Sequence, residues 1–204
     1  MNSLRQRRQQ VLREEILTAA HELLSKKGYA SMSMDDLAMH VGISKPTLYS
    51  YFGTKDELIA TAFTREVQAL TTMIESEHAT ETPLQRLSLL LRTIVEKQIH
   101  QQTLTLRPIM PDLFHLIRNN TQAMEAVKQL DTTVTALIQE GMDIGEIDPA
   151  LDRTTLAHAF YSLTSVLKYA LLDESYTPDP EQLTNTLVTF FLNGVQSQAK
   201  IDLK

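Results

Sequence analysis

The sequence predicts an all-α fold of about nine helices, three short ones at the N-terminus and a larger helical remainder behind them. Three observations carry this reading. Six Gly and seven Pro in 204 residues are about half the combined share of an average protein, which argues for long helices with few tight turns and against a sandwich or barrel. Apolar residues recur at helical rather than strand spacing. Capping residues stand where each helical run should begin. Hydrophobic residues make up 43% and charged residues 22%, enough apolar surface to offset ordering entropy, so disorder throughout is excluded too.

The elements follow in order. Ile16, Ala19, Ala20, Leu23 and Leu24 form one face of an amphipathic helix, which Gly28 closes in the place of a left-handed C-cap behind Lys26 and Lys27. Ser33 with Asp36 gives a capping-box start to a helix buried through Leu37, Ala38 and Val41, and Gly42 ends it. Ser44 caps a third helix, Pro46 being tolerated in its first turn; Gly53 ends it. Thr54 with Glu57 opens a long helix through Leu58, Ile59, Ala62, Phe63, Val67 and Leu70. Thr82-Pro83-Leu84-Gln85 starts another, carrying Leu84, Leu87, Leu91, Ile94 and Val95, with Ile99 continuing its apolar face. Pro108 and Pro111 break the chain into an irregular or single-turn stretch. A helix follows from about Thr121 to the Gly141–Gly145 region. Asp152 caps an almost charge-free helix through Leu172, and Asp179-Pro180 starts the last one, with Leu183, Leu187, Phe190, Phe191 and Val195.

The charge is uneven. The chain carries a net −6, yet residues 1–60 hold eight Lys/Arg against seven Asp/Glu, and residues 61–204 hold eleven against eighteen. Arg5, Arg7, Arg8 and Arg13 stand together with no acid among residues 1–13. A basic arm ahead of a neutral module fits a chain that meets phosphate at one end only; a solvated, frayed terminus is the plain alternative. With no Cys there is no disulfide framework, thiolate zinc site or Cys nucleophile, which fits a reducing cytosol. The N-terminus lacks the apolar stretch of a signal peptide. The late charge-free run Thr154–Leu167 is too short to span a bilayer. A cytoplasmic protein that does not enter the membrane is the expectation.

Met34–Lys55 is the informative stretch: two short helices around a tight Gly-containing turn, the helix-turn-helix pattern. A second helix of that kind enters a DNA major groove about 12 Å wide, so its exposed face needs donors, acceptors and methyl groups for base edges and phosphates. Lys45, Thr47, Tyr49, Ser50 and Tyr51 supply them, while Leu48 and Phe52, four apart, form the buried stripe. Lys55 adds an ammonium to the free backbone N–H groups at the next helix start, a phosphate clamp. Ser33 reads as a cap first, with phosphate contact as its second role.

The run Asp36-Leu37-Ala38, Val41-Gly42-Ile43-Ser44, Thr47-Leu48-Tyr49, Tyr51-Phe52 and Lys55-Asp56-Glu57-Leu58 resembles the signature of TetR-type (tetracycline-repressor-like) transcriptional regulators over residues 12–62. Gly145-Glu146-Ile147-Asp148 resembles the family's lead into its penultimate helix. One departure is Pro46, where many members carry Gly or Ala. The resemblance implies a helix-turn-helix DNA-binding domain over residues 1–56 and an effector-binding and dimerisation domain over residues 57–204. It implies a homodimer formed through the last two helices, about 152–173 and 180–199, with Phe160, Leu163, Leu167, Leu171, Leu187, Phe190 and Phe191 divided between that interface and the monomer core. The implied function is a repressor that binds a palindromic operator and is released by a partly apolar small molecule. Double-stranded DNA would be met by Arg5, Arg7, Arg8, Ser33, Lys45, Pro46, Thr47, Tyr49, Ser50, Tyr51 and Lys55.

For the effector, His100, Arg107, Met110, Phe114, His115, Met142, Tyr161 and Lys168 are the candidates. Thioethers suit a pocket of loose specificity, and they equally suit an ordinary helical core. Glu96 and His100, i and i+4, could in principle ligate a metal, but a plain helical pair explains them, and no cofactor or metal is expected. No Gly-x-Ser-x-Gly elbow, P-loop or dinucleotide fingerprint occurs, so no enzyme activity is expected. The rival readings are a helical enzyme or protein-interaction module without DNA binding, and an activator in place of a repressor.

Overall fold

The computed structural model describes residues 4–99, 111–164 and 179–196. Among them the regular structure is helical throughout: α1 (Leu4–Ser31), α2 (Met34–Val41), α3 (Lys45–Tyr51), α4 (Lys55–Thr72), a π-helical turn (Met73–Glu77), α5 (Pro83–Ile99), α6 (Pro111–Asn119), α7 (Thr121–Asp143), α8 (Arg153–Leu163) and α9 (Pro180–Val195). The expected all-α architecture is what the chain adopts. It divides into two compact units, one of the described residues in Met1–Glu66 and Gln102–Ala126, the other of those in Val67–Gln101 and Val127–Lys204.

In the first unit, Ile16, Leu17, Ala20, Leu24, Leu37, Leu48, Phe52, Leu58 and Ile59 are fully or almost fully buried. The helices around them are short because their ends are specified locally. Ser33 accepts from the Asp36 amide at 3.0 Å and Asp36 accepts from the Ser33 amide, a complete capping box, and Gly42 closes α2 in the left-handed conformation. Ser44 accepts from the Thr47 amide, with Pro46 in the first turn of α3.

Four details differ from the sequence reading. The basic N-terminal stretch is helix from Leu4 onward and not an arm, because its Arg, Gln, Leu and Glu residues are strong helix formers with no breaker among them. Gly28 interrupts α1 with φ 75° and ψ 167°, a mirror-image extended conformation open essentially to glycine alone rather than a left-handed cap. One further turn follows it, closed by the Met32 amide on the Gly28 carbonyl. At the start of α4, Thr54 caps the Glu57 amide, but the Glu57 carboxylate reaches the Gly53 amide at 2.9 Å instead of that of Thr54. Pro111 opens the nine-residue helix α6 where a broken stretch was expected: a proline is well placed in a first turn, and Leu113 and Ile117, four apart, bury its apolar side.

The second unit is built around α5, whose Leu84, Leu87, Leu91, Ile94 and Val95 are buried, and α9, which packs against it. Phe160 of α8 and Phe191 of α9 meet edge to face at 5.4 Å. Thr82 and Gln85 form the expected capping box on α5, and Asp179 caps α9. Glu146 accepts from the Leu84 amide at 3.1 Å, so the turn after α7 also helps cap α5. The π-helical turn Met73–Glu77 has no signature in the periodicity; it is held by its surroundings. Arg86 Nε donates to the Ile74 carbonyl at 2.8 Å and Thr133 Oγ1 to Glu75 Oε1 at 2.6 Å.

Close packing at the end of α7 gives a first test. A Cβ built on Gly141 would sit 2.8 Å from Ile147 Cδ1, and Ile147 is fully buried. Gly141→Ala is therefore expected to destabilise the protein by about 1–3 kcal/mol, the cost of overpacking a tight site. Thermal denaturation checks it; Ala at the exposed Gly194, where a Cβ meets nothing within 4 Å, is the control.

Candidate nucleic-acid interface

On α3 the spacing of exposed and buried positions separates two jobs. Leu48, with Phe52 just beyond the helix, is fully buried, and these two residues hold α3 against the unit's core. Each contributes roughly 1.5–3 kcal/mol by leaving water. Arg13 lies 5.0 Å over the Phe52 ring. Lys45, Pro46, Tyr49 and Ser50 are exposed, and Thr47 and Tyr51 are half-buried. Positions 45, 46, 49 and 50 fall on one side of a helix, so the structure presents them together.

Their hydrogen bonds define what each can do. Lys45 Nζ lies 2.7 Å from Asp35 Oδ1 and 3.0 Å from Oδ2. That carboxylate, through its hydrogen bond first and its charge second, holds the ammonium above the ordinary lysine range. Lys45 is thus a positioned cation. Thr47 Oγ1 shares a 2.8 Å hydrogen bond with Ser44 Oγ, and Ser50 Oγ donates to the Thr47 carbonyl at 2.6 Å. Tyr49, 43% exposed, offers its phenol outward. Ser33 is occupied as the α2 cap. Asp36 also pairs with Lys27 at 3.1 Å; that hydrogen bond, and then the one from Ser33, hold its carboxyl below the usual range.

Lys55 is placed otherwise than its reading as a phosphate clamp implies. Its ammonium donates to the Tyr29 carbonyl at 2.8 Å and the Met32 carbonyl at 3.1 Å and lies 4.1 Å over the Tyr29 ring, while the Tyr29 hydroxyl donates to Asp56. Lys55 therefore ties the start of α4 to the α1–α2 junction, and only its remaining N–H and the helix terminus can face phosphate. Nothing in the local sequence pattern signals this, because Tyr29 and Met32 lie more than twenty residues away.

Arg5, Arg7 and Arg8 are exposed on the first turns of α1. Changing all three to Ala is expected to weaken binding to every DNA sequence about equally. The slope of log affinity against log salt should flatten by roughly one for each arginine that meets phosphate. Titrations at several salt concentrations measure this, and a changed sequence preference would refute it.

Of the effector candidates, His100, Arg107, Met110 and Lys168 lie outside the described residues. So do Leu167 and Leu171 of the interface candidates and the end of the penultimate helix. Phe114, 56% exposed, and His115 stand on the outer side of α6 in the first unit. Met142 and Tyr161 are half-buried in the second. Burial first, and then the Asp131 carboxylate, push the Tyr161 phenol far above the ordinary tyrosine range, so it is a neutral hydroxyl. Phe160, Leu187 and Phe191 are buried within the chain and Leu163 is half-buried, whereas Phe190 is 68% exposed. Among the described residues no cluster of three metal-ligating side chains occurs, and no helix is long and apolar enough to cross a membrane.

A capped short helix, a tight turn and a second short helix with an outward polar face form a helix-turn-helix motif. Comparison with known proteins finds relatives for this part of the chain. Residues 16–62 match the model of the bacterial regulatory proteins of the tetR family. The chain is 36% identical over 70 residues to the HTH-type transcriptional activator FasR of Mycolicibacterium smegmatis, an alignment that spans 34% of this chain and 32% of that relative. The likeness to that relative thus spans about a third of its length. A longer alignment, 20% identical over 200 residues, joins the chain to the fatty acid metabolism regulator protein of Bacillus subtilis and covers 90% of this chain and 95% of the relative. The crystal structure of the transcriptional regulator FadR from Bacillus subtilis in complex with stearoyl-CoA has the same fold, with a TM-score of 0.68 at 20% identity, covering 90% of this chain and 99% of that one.

Proposed function

We propose that the protein is a dimeric transcriptional repressor whose α3 helices read successive major grooves of a palindromic operator and whose grip is released by a long-chain acyl thioester. The observation that carries the DNA-binding half is the outward face of α3, where Lys45, Pro46, Tyr49 and Ser50 stand free of the core behind a seated Leu48. The end-to-end likeness to a fatty acid metabolism regulator, and to a structure holding stearoyl-CoA, supports the effector class. DNA-binding and effector domains are assigned to residues 1–56 and 57–204. Met142 and Tyr161, both half-buried in the second unit, are proposed for the effector site.

Two recognition helices of a dimer must stand about 34 Å apart. Helix α4 runs unbroken from Lys55 to Thr72 and supplies residues to both compact units. An effector that favours another tilt of α4 would draw the recognition helices off that spacing through the Lys55, Asp56 and Glu57 contacts. Moving the population from 1:99 to 99:1 takes ~5.5 kcal/mol of differential affinity.

The dimer contact is proposed along α9, where exposed Phe190 stands among exposed Gln182, Thr186, Thr189 and Asn193. Phe190→Glu is expected to yield a monomer in sedimentation experiments, with operator affinity greatly reduced. A variant that sediments like wild type would place the contact elsewhere. For the whole reading, the test is a gel shift with the DNA upstream of the protein's own gene, with and without stearoyl-CoA. A shift that the acyl thioester reverses supports it. No shift overturns the DNA-binding claim, and a shift indifferent to stearoyl-CoA overturns the effector claim. FasR is named an activator, so a reporter gene under that promoter decides the sign of regulation.

A further inference from the structure

We infer that Gln98 is the hydrogen-bond donor for the carbonyl of the effector's thioester, an assignment that rests on the acyl-thioester reading above. Helix α5 buries Leu84, Leu87, Leu91 and Ile94, alternating steps of three and four that mark a seam packed along its whole length. The next position in that seam is 98, and it holds a glutamine. The polarity is therefore in the sequence, at a register where an apolar residue would continue the core.

The structure shows what the amide does there. Gln98 Nε2 is shielded from solvent and has no hydrogen-bond acceptor within reach among the described residues. An amide in that state costs the folded protein the desolvation of its N–H groups without return. Native chains rarely keep such a group unless something outside the chain satisfies it. The polar residues buried in this unit do not behave this way: Thr71, Thr164 and Thr184 donate to the carbonyls of Val67, Tyr161 and Pro180, and Thr133 donates to the Glu75 carboxylate. The two arginines of α5 are engaged away from it, Arg86 with the Ile74 carbonyl and Arg92 with Asn185 and Glu96.

The chemistry of the missing partner follows. It must present an acceptor, since the unsatisfied atom is a donor. It should be neutral, because an amide carries no charge to offset a buried carboxylate. It must reach the end of an apolar seam, so it should be attached to a long apolar body. A thioester carbonyl at the head of an acyl chain meets all three conditions, and a free fatty acid meets only two.

The experiment compares stearoyl-CoA with S-octadecyl-CoA, the thioether that keeps chain and nucleotide but lacks the carbonyl, on the wild-type chain and on Gln98→Leu. Affinity is read by calorimetry and stability by thermal denaturation without ligand. Wild type is expected to bind the thioester about tenfold more tightly than the thioether, the worth of one neutral hydrogen bond in a dry site. In Gln98→Leu the two compounds should bind alike. Its ligand-free Tm should equal or exceed that of wild type, since an unsatisfied donor has been removed. Equal discrimination by wild type and variant overturns the assignment. So does a ligand-free variant that melts well below wild type, which would show that the amide has a partner within the chain. If wild type binds neither compound, the acyl-thioester reading has failed and this assignment falls with it, an outcome distinct from retained discrimination.

Discussion

Replacing Lys45 and Tyr49 together by Ala should lower operator affinity about 100-fold or more while leaving the melting temperature unchanged. Both side chains are exposed on α3, so neither truncation opens a cavity. A residue that contacts base or phosphate in the groove commonly contributes a tenfold or larger factor. The pair is chosen over one that includes Lys55 because Lys55 holds the Tyr29 and Met32 carbonyls, and its loss would mix a shift of α4 with any lost phosphate contact. Fluorescence anisotropy with operator and scrambled duplexes measures the effect. Affinity for the operator should fall toward the non-specific level. Retained binding would mean that another surface reads DNA.

Phe52→Ala should produce the largest loss of stability among single changes in the DNA-binding unit, about 3–5 kcal/mol. For a chain of this size that corresponds to a Tm lower by roughly 10 °C or more. Phe52 is fully buried at the C-cap of α3, and its amide closes that helix on the Leu48 carbonyl. Removing the ring leaves a cavity beneath the recognition helix and takes the surface on which Arg13 lies. The result should differ from that of the Lys45/Tyr49 variant in kind: stability falls first, and DNA affinity follows because α3 is no longer held in one orientation. Calorimetry together with anisotropy below the transition separates the two. Unchanged stability would show that α3 is held by contacts other than its apolar stripe.

Much of this geometry is legible in the residues because it is local. The Ser33/Asp36 box, the Ser44 cap and the Leu48/Phe52 stripe each depend on neighbours three or four positions away, and spacing is enough to find them. The all-α architecture follows for the same reason. What spacing does not reveal is set by distant partners. The inward-turned ammonium of Lys55 depends on carbonyls at 29 and 32. The π-helical turn after α4 depends on Arg86 and Thr133. Helix α6 was hidden by Pro111, read as a breaker although a first-turn proline costs a helix nothing. Gln98 is an intermediate case: the seam register exposes it, but only the absence of a nearby acceptor gives the register a meaning.

Methylation protection at guanine N7, an atom that lies in the major groove, tests the central claim most directly. The wild-type protein on its operator should protect guanines in two patches about one helical turn apart, and the Lys45/Tyr49 double variant should protect neither. Binding of the wild type with those guanines left fully reactive would contradict a major-groove role for α3.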